Sequence, residues 1–422
     1  MTQVREQGQR RGNPYLNVLS RPGALRFSAA AFVGRMPMSM FGLGTLLLIA
    51  SVTGRYGLAG FVAAAGSVGY AVCAPQAARL ADRFGQRRVL RPLTVLFAAA
   101  TAGLIGSALG RAPVWAMVVT GGLAGAAMPS IGSMVRARWS ALLGDSPLLH
   151  TAFALESVAD ETIFVIGPAL VTVLATEVYP AAGVAVAMVA CVTGTLLFAA
   201  QRGTEPPAGR ARPQAGAAGP GRGGRGARLP APGLVTLAPV YFCLGAMFAA
   251  IDLSTVDFAA QHGHKPLAGF ILGSYALGSA VGGLLYGSRS WAAPAHRRFA
   301  MTLVLVAAGS ATFWALPGLA VLAVVIFCSG LAISPTFIAG FSLIGQQAPV
   351  RRRTEGIAWL TSAISVGVAV GSPAAGHLVD AGGARWGYVF AAGCGAAAVA
   401  ACLLGLGRLG RPGPVEAAET AG

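Results

Sequence analysis

The chain has 422 residues, of which 55% are hydrophobic and only 11% carry a charge, and its formal net charge is +17. Soluble proteins of this size carry about 25% charged residues, so the composition excludes an ordinary soluble domain. The mean hydropathy is +0.67. Apolar runs recur that are continuous rather than alternating and about as long as the ~20 residues a membrane helix needs. These features predict an all-α membrane protein.

Twelve transmembrane helices are predicted along the chain. Residues 1–26 are polar and basic and contain no cleavable leader pattern, so we expect a retained cytoplasmic tail. Residues 407–422 form a second predicted cytoplasmic tail. The twelve spans, numbered 1 to 12, cover residues 27–51, 57–78, 92–109, 114–135, 148–173, 181–200, 235–260, 267–286, 299–316, 319–344, 356–379 and 386–406.

Residues 201–233 interrupt the apolar pattern with Pro, Gly and Arg and almost no large hydrophobic side chains. Such a composition cannot form a core and predicts a disordered cytoplasmic linker that touches anionic lipid headgroups. An Arg/Gly-rich RNA-binding segment is the alternative, but we expect no nucleic-acid partner. The linker divides the spans into a bundle over residues 27–200 and a second bundle over residues 234–406.

The two bundles resemble each other in sequence. Residues 156–168 align with residues 361–373 at a constant offset, and Pro129 of span 4 matches Pro335 of span 10. Parallel repeats of six helices are one of the known transporter architectures. The fold class predicted is therefore two pseudo-symmetric six-helix bundles with a substrate site between them.

The basic residues predict the orientation of the chain. If the N-terminus is cytoplasmic, 26 of the 31 Lys and Arg residues fall on the inner side and four fall in outer loops. This asymmetry agrees with the positive-inside rule and with an even number of spans. We expect both termini in the cytoplasm and the protein in the plasma membrane.

The segment ARLADRFGQRRVL, between spans 2 and 3, carries the most specific motif. It resembles the corresponding loop of the major facilitator superfamily, whose pattern is Gly-x-x-x-Asp-Arg-x-Gly-Arg-Arg. Ala78 stands in the place of the first glycine. The matching residues are Asp82, Arg83, Gly85, Arg87 and Arg88. The resemblance implies that fold and a gate between the bundles at this loop.

The physical chemistry of the loop allows two interpretations. Gly85 permits a sharp turn that a side chain would obstruct. Asp82 can accept hydrogen bonds at a helix N-terminus or pair with an arginine, so the loop can latch one conformation. Alternatively, its arginines only set the topology.

Span 5 contains three carboxyl groups, Glu156, Asp160 and Glu161. Each carboxylate facing lipid at the centre of a bilayer costs about 2.5–3.5 kcal/mol on insertion scales, so these groups must face a wet cavity or a cationic partner. Glu156 and Asp160 lie four residues apart on one helix face, and Glu161 points about 100° away. Arg35 of span 1 is the expected partner.

Two roles remain open for these carboxyl groups. They can form a permanent charge network with Arg35, Arg136 or Arg138, or one of them can take up and release a proton during transport. Asp252 of span 7 is a further candidate for the cavity or for proton coupling, and an interhelical hydrogen bond is its alternative role.

Gly167 and Pro168 resemble part of the span 5 signature of the drug/proton antiporters of the superfamily, although the glycines that follow in that signature are absent here. Proline removes one helix hydrogen bond, so the resemblance and the chemistry together predict a bending point in span 5.

Enzyme motifs are absent from the sequence: it has no phosphate-binding loop and no nucleophile elbow. We therefore expect no enzyme activity, no metal site and no cofactor, with a proton gradient as the driving force. The function predicted is alternating-access export of a small drug-like molecule or metabolite by a monomer in the lipid bilayer. Import of an organic acid or sugar, with Arg35 binding an anion, is the alternative, and a membrane enzyme or sensor without transport is a third hypothesis.

Overall fold

The structure is a computed structural model that describes residues 14–144, 146, 148–207, 232–287, 291–347 and 353–409. Every regular element in these ranges is helical. Twelve helical segments are long and apolar enough to cross a membrane, which confirms the predicted number of spans and the all-α fold class.

Seven spans are single α-helices, and the other five are interrupted or end in a different helix type. The single helices are Tyr56–Phe84 (span 2), Gln86–Leu109 (span 3), Ala182–Ala200 (span 6), Pro232–Gln261 (span 7), Leu267–Gly287 (span 8), Arg353–Gly382 (span 11) and Ala384–Leu409 (span 12). The composite spans are Ala24–Arg35 with Pro37–Thr53 (span 1), Val114–Ala127 with Ile131–Leu143 (span 4), Leu148–Val173 with the π-turn Leu174–Val178 (span 5), Ala295–Ser310 with the 3₁₀ turn Phe313–Ala315 (span 9) and Leu319–Gly330 with Ile333–Gln347 (span 10).

Proline explains the positions of the interruptions. Span 1 breaks at Met36, immediately before Pro37, and span 4 breaks at the segment that contains Pro129. In span 10 the second helix begins at Ile333, with Pro335 in its first turn. Proline is tolerated in a first turn because the N–H it lacks would have no partner there. The two prolines matched by the sequence repeat thus lie at matching breaks.

The helix boundaries correct several expectations. The predicted N-terminal tail contains a short helix, Pro14–Leu19, and span 1 begins at Ala24 rather than at residue 27. Span 4 continues to Leu143 instead of ending at residue 135, so Arg136 and Arg138 are helical residues and not loop residues.

The predicted linker is also shorter in the structure. Residues 201–207 pack on the first bundle, because Arg138 donates hydrogen bonds to the Gln201 carbonyl and to the Thr204 hydroxyl. Pro232 already belongs to span 7. The remaining linker residues, 208–231, lie outside the described residues, as do residues 410–422 of the C-terminal tail.

The motif between spans 2 and 3 forms a turn of a single residue. Span 2 ends at Phe84 and span 3 begins at Gln86, so Gly85 alone joins the two helices. Its φ of 94° lies in a region that favours glycine, which confirms the predicted sharp turn. Asp82 and Arg83 occupy the last helical turn of span 2 rather than a loop.

The two bundles meet through two pseudo-symmetric pairs of spans, 2 with 11 and 5 with 8. Gly60 of span 2 lies against the carbonyl of Ser372, since an added Cβ would be 2.5 Å from that oxygen, and Gly269 of span 8 lies equally close to the carbonyl of Pro168. Residues 207 and 232, which flank the 208–231 segment, mark one end of the molecule, and we call this end the linker side. These contacts lie toward the other end, the opposite side.

Candidate functional site

Arg35 of span 1 binds two carboxylates of span 5 at once. Its Nη2 pairs with Glu156, and its Nη1 lies 2.7 Å from an oxygen of Asp160. Its Nε donates to the Ala31 carbonyl on its own helix, which fixes the guanidinium in place. The predicted contact between Arg35 and span 5 is therefore present, and it is buried, because Arg35 is only 2% exposed.

Glu156 has hydrogen-bond donors for both of its oxygens. One oxygen accepts from the Ser28 hydroxyl and from the Trp139 indole N–H, both at 2.8 Å, and the other accepts from Arg35. The side chain is fully buried. Three donors therefore hold this buried carboxylate in a fixed position. These contacts favour a structural role for Glu156, joining spans 1, 4 and 5.

Asp160 lies between two arginines. Besides Arg35, it accepts a hydrogen bond of 2.8 Å from Arg136 of span 4. The two arginines and two carboxylates together have no net charge, which is the condition for burying such a group inside a membrane protein. Arg138 lies outside this network, because its Nε donates to Gln86 and its guanidinium stacks on Phe198.

Glu161 differs from its two neighbours in having no such partner. It is partly exposed and makes no hydrogen bond or ion pair with any residue that the structure describes. Val165 and Pro168, one and two turns further along the same face, lie against Gly273 and Gly269 of span 8. Glu161 thus lies on the face of span 5 that meets the other bundle, one turn closer to the linker side than the last of these close contacts.

A cavity of about 220 Å³ lies where spans 1, 2 and 4 face span 11. It begins about one turn from the close contact at Gly60, on its linker side. Its walls are apolar and aromatic, with a few hydroxyl groups and no charged side chain. The lining residues are Pro37, Met38, Phe41, Gly42, Thr45, Ala63, Gly66, Ser67, Tyr70, Gly125, Met128, Ile364, Ser365 and Val368.

Tyr70 connects this cavity with the charge network. The side chain lines the cavity and lies near Asp160. The side chain of Asp160 is 22% exposed, whereas that of Arg35 is 1% exposed. The network is therefore closed on the Arg35 side and accessible on the Asp160 side.

Asp380 closes the opposite side by a contact between the bundles. Its two oxygens accept hydrogen bonds of 2.7 Å from the backbone N–H groups of Tyr56 and Gly57 at the beginning of span 2. The first N–H groups of a helix have no partner within the helix, and the helix dipole favours an anion there. Asp380 of span 11 thus binds the N-terminus of span 2.

Burial along the same spans decreases toward the linker side. Val72 and Leu80 of span 2 are 57% and 46% exposed, and Trp359 at the other end of span 11 is 56% exposed. By contrast, Gly60 and Ser372 near the opposite side are buried. The close contacts between spans 2 and 11 therefore lie toward the opposite side.

Asp252 is the acidic candidate of the second bundle. Its side chain is exposed and accepts no hydrogen bond from a described residue, so the interhelical hydrogen bond considered from the sequence is not observed. It interacts electrostatically with Tyr275 of span 8, which packs edge-on against Phe248 one turn before Asp252. The three ion pairs within the described residues all belong to the first bundle.

The gating motif is not latched in this conformation. Asp82, Arg83 and Arg88 are exposed, and Asp82 has no hydrogen bond or ion pair with a described residue. The backbone N–H of Arg87 donates to Glu205 in the segment after span 6. Within the described residues, the motif therefore contacts its own bundle.

The two residues proposed as a bending point pack on different partners. Gly167 lies against Ser39 of span 1, whose hydroxyl donates to the Ile163 carbonyl one turn earlier. Pro168 lies against Gly269 of the other bundle, and the helix continues beyond it to Val173. The position of Pro168 at the contact between bundles is compatible with a hinge, which stays a prediction.

Sequence reasoning missed Ser28, Trp139 and Asp380. Ser28 and Trp139 are separated from Glu156 by 128 and 17 residues, so no local pattern links them. Asp380 had a detectable signal, because a carboxylate at the end of an apolar span is a suitable ligand for a helix N-terminus. Its partner, however, lies 324 residues away in the chain.

A family model described as "Major Facilitator Superfamily" matches residues 27–251 and 237–421. No curated protein sequence matches significantly.

Solved structures of transporters superimpose on the whole molecule. A mutant of the nucleoside transporter NupG is 13% identical, with a TM-score of 0.68 over 90% of this chain and 99% of that one. A bacterial homologue of the iron transporter ferroportin, in its inward-facing state, is 15% identical, with a TM-score of 0.67 over 92% and 99%. The human organic anion transporter MFSD10 is 16% identical, with a TM-score of 0.60 over 91% and 99%. At such identities the likeness shows the fold alone.

Replacing Glu156 by Gln should destabilise the protein strongly. The substitution keeps the size of the side chain but removes one of the two charges that balance Arg35. We expect a loss of about 3 kcal/mol in the free energy of unfolding, the low end of the cost of breaking a buried ion pair, because Asp160 still contacts Arg35. Denaturation of the purified protein measures it. Glu177→Gln, at an exposed carboxyl, is the control and should change stability by less than about 0.5 kcal/mol. Equal stability of the two variants would contradict a structural role for Glu156.

Replacing Asp380 by Ala should open the opposite side. Hydrogen bonds to a charged group contribute about 1.5–3 kcal/mol each. The ratio of molecules closed on the opposite side to molecules open there should therefore fall by about tenfold or more. Pulsed electron paramagnetic resonance between spin labels at Glu177→Cys and His262→Cys, one on each bundle, measures the separation. Asp257→Ala is the matched control, since Asp257 accepts its hydrogen bonds within the second bundle, from Gln261 and from the backbone N–H of Ala384. An unchanged distance distribution in Asp380→Ala would show that the contact does not hold the bundles together.

Proposed function

The chain belongs to the Major Facilitator Superfamily, and from that premise we propose that it is a proton-coupled transporter that exports a small, weakly polar organic molecule. Transport is the activity of the family. The kind of substrate, the coupling to protons and the direction are the parts proposed.

The uncharged lining of the cavity is the observation that supports this kind of substrate. Its fourteen lining residues include aromatic and aliphatic side chains and only a few hydroxyl groups, as on Thr45, Ser67 and Ser365. A cavity of this kind binds a molecule chiefly by burying apolar surface and orients it with few hydrogen bonds. A strongly charged substrate would lose its hydration there without finding a partner.

The state of Arg35 argues against import of an organic acid. Both terminal nitrogens of its guanidinium pair with carboxylates, and its Nε donates to a backbone carbonyl. An anionic substrate would have to displace Glu156 or Asp160 and leave that carboxylate buried without its partner, which is costly.

Glu161 is the carboxyl group best suited to carry a proton. It lies on the face of span 5 that meets the other bundle and has no cationic partner among the described residues. An unpaired carboxylate at this depth is costly in a membrane, and taking up a proton removes that cost. Asp160, in contrast, is engaged by two arginines.

Alternating access then follows from the two-sided geometry. With the linker side in the cytoplasm, as the basic residues predict, the contact of Asp380 with the beginning of span 2 would close the outer side. Protonation of Glu161 on one side and its release on the other would bias the rocking of the bundles about the paired contacts at Gly60 and Gly269.

The first step of the test is to find a transported compound. Cells that express the protein and cells that lack it are compared for growth on a panel of toxic amphipathic compounds. Compounds to which the protein confers resistance are then tested for uptake into inverted vesicles under an imposed pH gradient. Export predicts pH-gradient-dependent uptake, and uptake into intact cells instead would favour the importer.

The coupling role of Glu161 is tested in proteoliposomes with the compound so identified. Glu161→Gln should lose accumulation driven by the pH gradient, because an amide cannot take up the proton, while exchange of labelled for unlabelled compound continues. Glu177→Gln should behave like the native protein. If Glu161→Gln accumulates the compound at the native level, Glu161 does not couple transport to protons.

A further inference from the structure

The second bundle carries an apolar groove that is separate from the cavity between the bundles. It has a volume of about 680 Å³ and lies between spans 8, 9 and 10. Span 9 provides one wall along most of its length, including Met301, Leu305, Ala308 and Thr312. Met301 and Leu305 are 64% and 60% exposed, as expected of apolar side chains that face lipid.

A single cationic side chain lies at the linker-side end of this groove. Arg298, in the first turn of span 9, donates a hydrogen bond of 2.7 Å to the Tyr286 hydroxyl. The Trp291 ring stacks on Tyr286 with centroids 5.0 Å apart, and its indole N–H donates to the Tyr286 carbonyl. Trp and Tyr are enriched at the level of lipid headgroups, so this end of the groove has the character of a membrane interface.

The positive charge at this end is not compensated. Arg298 takes part in no ion pair of the described residues, and its buried Nε has no hydrogen-bond acceptor among them. His296 and Arg297 precede it, and the first turn of span 9 has neither an acidic residue nor a capping side chain. The N–H groups of such a turn and the helix dipole favour an anion.

We propose that this groove binds an anionic phospholipid, with the phosphate at Arg298 and an acyl chain along span 9. Basic pockets between membrane helices on the cytoplasmic side are suited to anionic lipid headgroups. Span 9 rises roughly 21 Å between Arg298 and Thr312, which exceeds the ~15 Å that one leaflet of the hydrocarbon core occupies. The groove is therefore long enough for the acyl chain of one leaflet.

A lipid explains the combination of features better than other occupants. A second copy of the chain would need an acidic surface next to an apolar one, and the acidic residues without a described partner are spread over spans 2, 5 and 7, as Asp82, Glu161, Glu177 and Asp252. The molecule proposed for the central cavity is weakly polar and would not require Arg298. A phospholipid carries both parts, a phosphate and an apolar chain, at the separation that the groove provides.

The proposal is tested by measuring the thermal unfolding of the full-length protein in detergent. The measurement is made with added dioleoylphosphatidylglycerol, dioleoylphosphatidylcholine or glycerol 3-phosphate. The anionic lipid should raise the unfolding temperature, because a ligand that binds only the folded state stabilises it. The zwitterionic lipid and the soluble phosphate should raise it much less. Native mass spectrometry should show the anionic lipid retained in preference to the zwitterionic one.

Two pairs of variants locate the site. Arg298→Gln should lose most of the retained phosphatidylglycerol, whereas Arg297→Gln, which removes the same charge from an exposed neighbour, should retain it. Ala308→Trp should fill the groove and lower retention, whereas Val304→Trp, on the same helix but outside the groove, should not. Native retention in both Arg298→Gln and Ala308→Trp, or equal retention of both lipids, would overturn the proposal. None of these readouts depends on transport, so this proposal and the function proposed above can fail separately.

Discussion

Arg35 holds two carboxylates of span 5 inside the first bundle, and the arrangement of the other charged groups depends on this contact. A charge within the membrane requires a partner because the bilayer does not solvate it. The four charged groups of the network neutralise one another and join spans 1, 4 and 5. Glu161, adjacent in sequence but turned away by about 100°, is left outside. The same helix thus carries two carboxyl groups with structural contacts and one without.

The contact between the bundles has a similarly simple basis. Backbone carbonyls near Pro168 and Pro373 lie against Gly269 and Gly60, so helices from different bundles approach closely without side chains between them. Small residues allow such packing in membranes, where apolar side chains gain nothing by leaving lipid. The two pairs occupy equivalent positions in the sequence repeat. Asp380 adds a polar contact between the bundles on the opposite side.

Much of the fold could be predicted from the sequence, because the bilayer imposes a strong pattern. The twelve spans, the sharp turn at Gly85 and the pairing of Arg35 with span 5 are confirmed. Helix ends were less predictable, since polar residues such as Arg136 and Asp82 continue helices beyond their apolar parts. Contacts across the chain, such as Asp380 with Tyr56, depend on how the bundles are docked. The sequence placed Glu161 on a different helix face from Glu156 and Asp160, but partners such as Ser28 and Trp139 are distant in sequence and are identified only in the folded bundle.

The central claim is that the partners of each carboxyl group in span 5 decide whether it is structural or carries a proton. Infrared difference spectroscopy tests it directly, because a carboxyl group that takes up a proton gains a carbonyl stretching band that an ionised one lacks. On transfer of the native protein from alkaline to acidic buffer, the account predicts a protonation band that is absent in Glu161→Gln and present in Asp160→Asn. A band that persists in Glu161→Gln and disappears in Asp160→Asn would contradict the account and assign the proton to the arginine-bound network.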